Sequence, residues 1–199
     1  MVRNVSRLVL VAVAVILFAA SPAVAEVRIN AFTLSPMIGY QSFDSDLDLK
    51  NKPVYGLAVG YTTSANWALE LDLRYAPSEI DKSEGPDVDV YTATANVLYH
   101  FMPERTFVPY LVGGIGGQQY DISGAGGDED FIANWGGGFK YSIADNIDLR
   151  MDLRHVIDFR TDNEARGQDG NDVVNNFSAS FGLNFQFGGA SHVPVHVTR

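Results

Sequence analysis

Between Ile147 and Phe159 the chain reads IDLRMDLRHVIDF, and its side chains alternate over most of that length. Ile147, Leu149, Met151 and Leu153 form one set; Asp148, Arg150, Asp152 and Arg154 form the other. A period of two belongs to an extended strand, whose successive side chains point to opposite faces of a sheet. Eight stretches of this kind predict strands near residues 29–42, 54–61, 67–75, 90–101, 107–120, 131–143, 147–159 and 176–187. In the third, Trp67, Leu69, Leu71, Leu73 and Tyr75 share one face, against Ala68, Glu70, Asp72 and Arg74. In the last, Phe177, Ala179, Phe181, Leu183, Phe185 and Phe187 oppose Ser178, Ser180, Gly182, Asn184 and Gln186. The fifth, FVPYLVGGIGGQQYD, is so rich in glycine that the pattern assigns it no faces. No convincing helical periodicity follows residue 25.

The connections alternate in length. TTSAN (62–66), MPERT (102–106) and IADN (143–146) are tight turns, whereas 43–53, 77–89, 121–130 and 159–175 are longer and polar. Short turns at one end and long loops at the other describe an antiparallel up-and-down meander. The same asymmetry marks outer-membrane barrels, and an even strand number leaves both termini on the turn side. The expected fold is therefore all-β, an eight-stranded antiparallel up-and-down barrel. Two versions share this alternation: a soluble barrel with apolar residues inside, as in lipocalins, and a transmembrane barrel with polar residues inside.

Three features favour the transmembrane version. The polar face carries Gly56, Ala58, Gly60, Gly136 and Gly138. Glycine on a water-facing strand weakens it without any packing gain, whereas small residues inside a narrow barrel make room for long ones opposite. Next, the charges on that face balance: Glu70, Asp72, Asp148 and Asp152 against Arg74, Lys140, Arg150 and Arg154. Balance is what a confined lumen demands, since an unpaired buried ion costs several kcal/mol; chance balance on a solvated face is the alternative. Finally, Tyr40, Tyr61, Trp67, Tyr75, Tyr99, Phe101, Tyr141, Phe159 and Phe187 lie near strand ends on the apolar face. Rings that are half dry and half wet favour the membrane–water interface.

Residues 1–25 read as a secretory signal peptide. Arg3 and Arg7 precede an apolar run over 8–20, and SPAVA supplies small residues at Ala23 and Ala25, so cleavage is expected before Glu26. The run is shorter than the ~20 residues of a spanning helix, which argues against a retained anchor. There is no cysteine, hence no lipoprotein attachment site and no disulfide framework. A net charge of −10, with the acid excess in the long connections, argues against nucleic acid as a partner. The expected organisation is a leader over 1–25, a barrel domain over 26–189 and a short periplasmic tail over 190–199, in a bacterial outer membrane.

SPMIGYQSF, YGLAVGYTTSANWALELDLRYAP, FVPYLVGGIGGQQYD, WGGGFKYSIADNIDLRMDLRHV and NNFSASFGLNFQFGG, in that order behind a leader, resemble the transmembrane domain of the OmpA-like outer-membrane β-barrel family. The closing FGLNFQFGG, with Phe181, Phe185 and Phe187, is similar to the last-strand pattern read by the outer-membrane assembly machinery in that family. Larger members continue into a peptidoglycan-binding domain. Here only ASHVPVHVTR follows, so anchoring to the cell wall is not carried over. The resemblance implies a monomer whose partners are outer-membrane lipid, lipopolysaccharide and the assembly machinery. Among barrel-only members adhesion, surface defence and envelope roles occur.

Candidate chemistry is sparse. His155 with Asp158 suggests a lipid A-modifying hydrolase, but the deacylase pattern places a serine two residues after its histidine, and here that position is Ile157. Ser178 and Ser180 fall in the opposite set, so His155 is expected at the barrel rim. His100 is expected inside, as a hydrogen-bonding residue. HVPVH spaces His192 and His196 by four, yet Pro194 prevents the helix that would align them. DSDLD fails as an EF-hand calcium loop because Leu49 and Tyr55 replace the turn glycine and the closing glutamate; with DGND it is expected to form a solvated acidic surface, weak Ca²⁺ or Mg²⁺ binding being the alternative. No catalytic residue, cofactor or metal site is expected. The leading expectation is a non-enzymatic envelope-structural or surface-interaction barrel. The alternative is a narrow ion channel gated by exchange among the luminal charges, with a lipid A-modifying enzyme third.

Overall fold

The structure, a computed structural model, describes residues 27–42, 52–79, 87–122, 126–159 and 173–190. They form β1 (Ile29–Ser42), β2 (Lys52–Thr62), β3 (Trp67–Glu79), β4 (Asp87–His100), β5 (Phe107–Ile122), β6 (Gly126–Ala144), β7 (Ile147–Phe159) and β8 (Val173–Ala190). Each strand pairs with its neighbour in sequence, and β1 pairs with β8, so the sheet closes on itself. The seam is antiparallel and long, from Ile29↔Ala190 to Ser42↔Phe177. β2, the shortest strand, has 11 residues. At ordinary rise and tilt such a strand climbs roughly 28 Å, close to the apolar band of an outer-membrane barrel.

The alternation sorts onto two surfaces. Leu69, Leu71, Leu73, Leu111, Ile115 and Leu153 point outward and are 45–57 % exposed, while Glu70, Asp72, Arg150 and Asp152 point inward and are at most 6 % exposed. A water-soluble protein would invert this arrangement. The outward aromatic rings gather at two levels. Phe32 with Tyr61, Trp67 with Tyr99, and Phe107 with Phe139 lie toward the turn end. Tyr75 with Tyr91, and Phe131 with Phe159, lie toward the loop end.

Local chemistry fixes the tight turns. Between β2 and β3 the Thr63 and Ser64 amides donate to the Trp67 carbonyl, and the Ser64 hydroxyl accepts from the Trp67 amide. Between β6 and β7 a register shift at Ser142/Ala144 precedes the two-residue turn Asp145–Asn146.

The structure also corrects several expectations. β4 ends at His100, so Phe101 belongs to the turn. β5 and β6 stay paired out to Ile122↔Gly126, so most of the predicted 121–130 connection is a strand ribbon. The glycine-rich β5 turns Val108, Tyr110, Val112, Gln118 and Tyr120 inward. Gly114 and Gly116 pass so close to β4 that a Cβ at either would strike the Ala95 or Ala93 carbonyl.

Gly138 on β6 makes room for a large luminal side chain, Tyr110. A methyl group there would run into the Tyr110 hydroxyl and the Met151 carbonyl. Gly138→Ala is expected to destabilise the folded barrel by about 1–3 kcal/mol, the usual cost of overpacking. Urea-induced unfolding in lipid vesicles, followed by tryptophan fluorescence, measures it.

Candidate functional site

β3 and β7 stand on opposite sides of an eight-membered ring. β3 turns Glu70, Asp72 and Arg74 inward, at alternate positions; β7 does the same with Asp148, Arg150, Asp152 and Arg154. Six of these seven meet at the centre. Arg150, fully buried, straddles both carboxylate oxygens of Glu70, from Nη1 at 2.5 Å and from Nη2 at 3.0 Å. Its Nε donates to Asp152 at 2.8 Å and to the Tyr110 hydroxyl at 3.0 Å, and Nη1 also reaches Ser35 Oγ at 3.2 Å. Arg154 Nη2 lies 3.1 Å from Glu70, 3.2 Å from Asp72 and 3.3 Å from Asp152. Arg74 donates to Asp72 from Nε and Nη2, each at 3.0 Å, and crosses to Ser178 on β8 from Nη1 at 3.0 Å.

Three guanidinium groups thus face three carboxylates with almost no solvent between them. Fixed planar forks against carboxylates give directional, charge-assisted bonds that a lysine would not reproduce. Removing one member leaves the others short of counter-charge where water does not reach, which is why breaking a buried pair costs more than the pair contributes.

Lys140 and Asp148 sit outside this cluster, toward the turn end. Lys140 Nζ donates to His100 Nε2 at 3.1 Å and lies 5.7 Å from the centre of the Tyr110 ring. Asp148 is held by neutral donors: Ser142 Oγ at 2.6 Å, Asn184 Nδ2 at 2.7 Å and Gln186 Nε2 at 3.2 Å. Sequence reasoning missed Tyr110, which links the layers. Its hydroxyl donates to Asp152 at 2.7 Å while accepting from Arg150, and its ring lies below Lys140 and Arg150.

It also missed two luminal acids. Asp130 and Asp158 are buried near the loop end, where Tyr120 donates to Asp158 at 2.7 Å and Thr92 to Gln118 at 3.0 Å. The even balance read from the strand faces is therefore corrected. Among the described residues Glu70, Asp72, Asp130, Asp148, Asp152 and Asp158 face in, against Arg74, Lys140, Arg150 and Arg154. Asp130 was counted with a loop because β6 starts earlier than its alternation indicates.

The His155–Asp158 pairing is separated by the pleat. His155 is on the outer face, stacked on Phe177 with ring centres 4.6 Å apart, edge-on to Trp135, and 3.0 Å from Asn175 Oδ1 through Nε2. Asp158, Ser178 and Ser180 point inward. Hydroxyl, imidazole and carboxylate therefore do not meet on one face, as nucleophilic catalysis would require. Among the described residues no group of three or more His, Asp or Glu is placed to hold a metal ion. His192, His196, DSDLD and DGND lie outside the described residues. Phe181, Phe185 and Phe187 all fall on the outward set of β8.

A closed antiparallel barrel, apolar outside and charged within, defines the class of outer-membrane β-barrel proteins. The chain belongs to the outer membrane protein beta-barrel domain family, whose pattern matches residues 10–185. Among solved structures it is similar to Neisserial surface protein A, at 18% identity and a TM-score of 0.61, covering 78% of this chain and 97% of that one. OprG from Pseudomonas aeruginosa gives 12% identity and a TM-score of 0.56, covering 84% of this chain and 100% of that one. The N-terminal barrel domain of OprF from Pseudomonas aeruginosa gives 17% identity and 0.52, covering 80% and 99%. These likenesses concern the fold. No curated protein matches the chain.

Glu70→Ala takes one carboxylate from both Arg150 and Arg154, leaving three buried guanidinium groups to share Asp72 and Asp152, and is expected to cost about 3–5 kcal/mol in vesicle unfolding experiments. Lys140→Gln, whose direct partner is an imidazole, is expected to cost less than half as much.

Proposed function

We propose that this protein is a non-enzymatic envelope barrel: a sealed scaffold that stiffens the outer membrane and displays acidic connections at its surface. The observation that carries this reading is the central cluster, in which Arg150 and Asp152 are 0 % exposed and Arg150 bridges the lumen from β7 to Glu70 on β3. An eight-stranded ring is only wide enough for its own side chains. The placement of His155 on the outer face, with Asp158, Ser178 and Ser180 on the inner one, supports a non-enzymatic reading. The long connections are strongly acidic in sequence, which favours solvation and repels other anions. Recognition on such a scaffold belongs to its loops. The same reading takes outer-membrane lipid and lipopolysaccharide as surroundings, the assembly machinery as the reader of Phe181, Phe185 and Phe187, a monomer as the working unit, and removal of the leader as the step before insertion.

One observation favours a gated channel as the second reading. Arg154 has three carboxylates within 3.3 Å, so exchanging partners requires only a small movement. Planar-bilayer recording separates the two. The sealed scaffold predicts no steady conductance from the purified protein. A stepwise conductance that Arg150→Ala alters would replace it with the channel. For the enzyme question, mass spectrometry of lipid A from wild-type and deletion strains is expected to give identical profiles, while the deletion strain becomes more sensitive to detergent.

A further inference from the structure

The wall of the barrel begins at Ile29, but the chain before it does not leave along the strand direction. Asn30 has a φ of 58°, a left-handed conformation that asparagine tolerates better than most residues. Upstream of that turn the Val27 amide donates to the Pro103 carbonyl at 3.0 Å. Pro103 belongs to the turn between β4 and β5, which stands across the ring from β1. The hydrogen bond therefore spans the mouth of the barrel at its turn end.

Three further contacts hold the crossing segment. The Arg28 amide donates to Oε1 of Gln186, a luminal side chain of β8, at 3.1 Å, and Arg28 Nη1 reaches the Gly188 carbonyl at 3.4 Å. Tyr61 on β2 donates to Asn30 Oδ1 at 3.3 Å, anchoring the bend from the other side. Val27, an apolar residue outside any strand, is only 5 % exposed. The luminal side chains at this end, Ala31, Leu98, His100, Val108 and Lys140, are likewise no more than 5 % exposed. Open to water, this mouth would leave at least the Lys140–His100 pair solvated.

We infer that residues 27–30 form a strap across the turn-side mouth, closing the lumen from the periplasm and keeping water and solutes away from the Lys140–His100 pair. The strap is separate from the central ion cluster, which lies deeper in the lumen. Its amide hydrogen bond to Pro103 is the latch, and the Val27 side chain is the stopper.

The chain contains no cysteine, so a single introduced thiol reports access without background. Val108→Cys places the thiol in the lower lumen, Leu98→Cys is a second reporter, and Glu104→Cys on the exposed turn is the open reference. Each is made in the full mature barrel in detergent micelles, checked for folding by heat-modifiable gel migration, and treated with a charged maleimide. With the strap intact, both inner thiols should react far more slowly than Glu104→Cys. Adding Val27→Pro, which removes the donor, should speed both by roughly tenfold, the factor that accompanies loss of one hydrogen bond at the upper end of its net strength. Val27→Gly, which keeps the amide but removes the stopper, should also speed them. Unchanged slow labelling in both Val27 variants would overturn the strap as the seal. Labelling of the inner thiols at the rate of Glu104→Cys in the unaltered strap would show that no seal exists. Neither result depends on the conductance measurement.

Discussion

Hydrocarbon offers no hydrogen-bond partner, and the rest of the molecule follows from that. A strand crossing a bilayer must find every backbone partner in another strand, so a sheet with edges is excluded and the ring must close. The β1–β8 seam provides the closure, from Ile29↔Ala190 to Ser42↔Phe177. Once the ring is closed, the pleat has only two destinations, lipid and lumen, and each residue type is sorted by which destination costs less. Leu71 in lipid and Asp72 in the lumen are consecutive results of one rule.

The lumen then becomes a second solvation problem. Six side chains from β3 and β7 solve it by meeting across the ring, so each ion finds counter-charge rather than water. This geometry also locks register. A slip of β3 by one residue would send Glu70, Asp72 and Arg74 into lipid and leave Arg150 and Arg154 with Asp152 alone of the three carboxylates. The cluster therefore contributes to a unique arrangement of strands as well as to a closed centre, and the envelope role proposed above rests on both properties. Tyr110 joins the cluster to the Lys140–His100 layer, and residues 27–30 cover that layer from below.

Some of this was legible in the sequence and some was not, for physical reasons. β1 and β7 match their alternation end for end; in β7 the apolar and charged sets contrast without exception from Ile147 to Arg154. β5 was unreadable because a narrow lumen is also a packed core. Val108, Tyr110 and Val112 face inward although they are apolar or aromatic, so the contrast between faces vanishes. Asp130 escaped notice because β6 continues past the point where its outward residues stop being apolar; the ribbon has left the hydrocarbon but not the sheet. Eight of the charges that line the lumen could be named from β3, β6 and β7, Asp130 and Asp158 not among them. Their partners could not, since Arg74 to Ser178 and Arg150 to Glu70 are contacts across the ring that no local spacing encodes. The strap was invisible for the same reason: a single left-handed asparagine redirects the chain.

The orientation of the pleat is tested most directly by nitroxide scanning along β3. Labels placed singly at residues 68 to 73 in vesicle-embedded protein are exposed in turn to oxygen, which concentrates in lipid, and to a water-soluble nickel complex. Oxygen collisions should peak at 69, 71 and 73 and fall at 68, 70 and 72, with the nickel complex excluded throughout. Nickel collisions peaking at 69, 71 and 73 would contradict an outward apolar wall, and the barrel would have to be turned inside out.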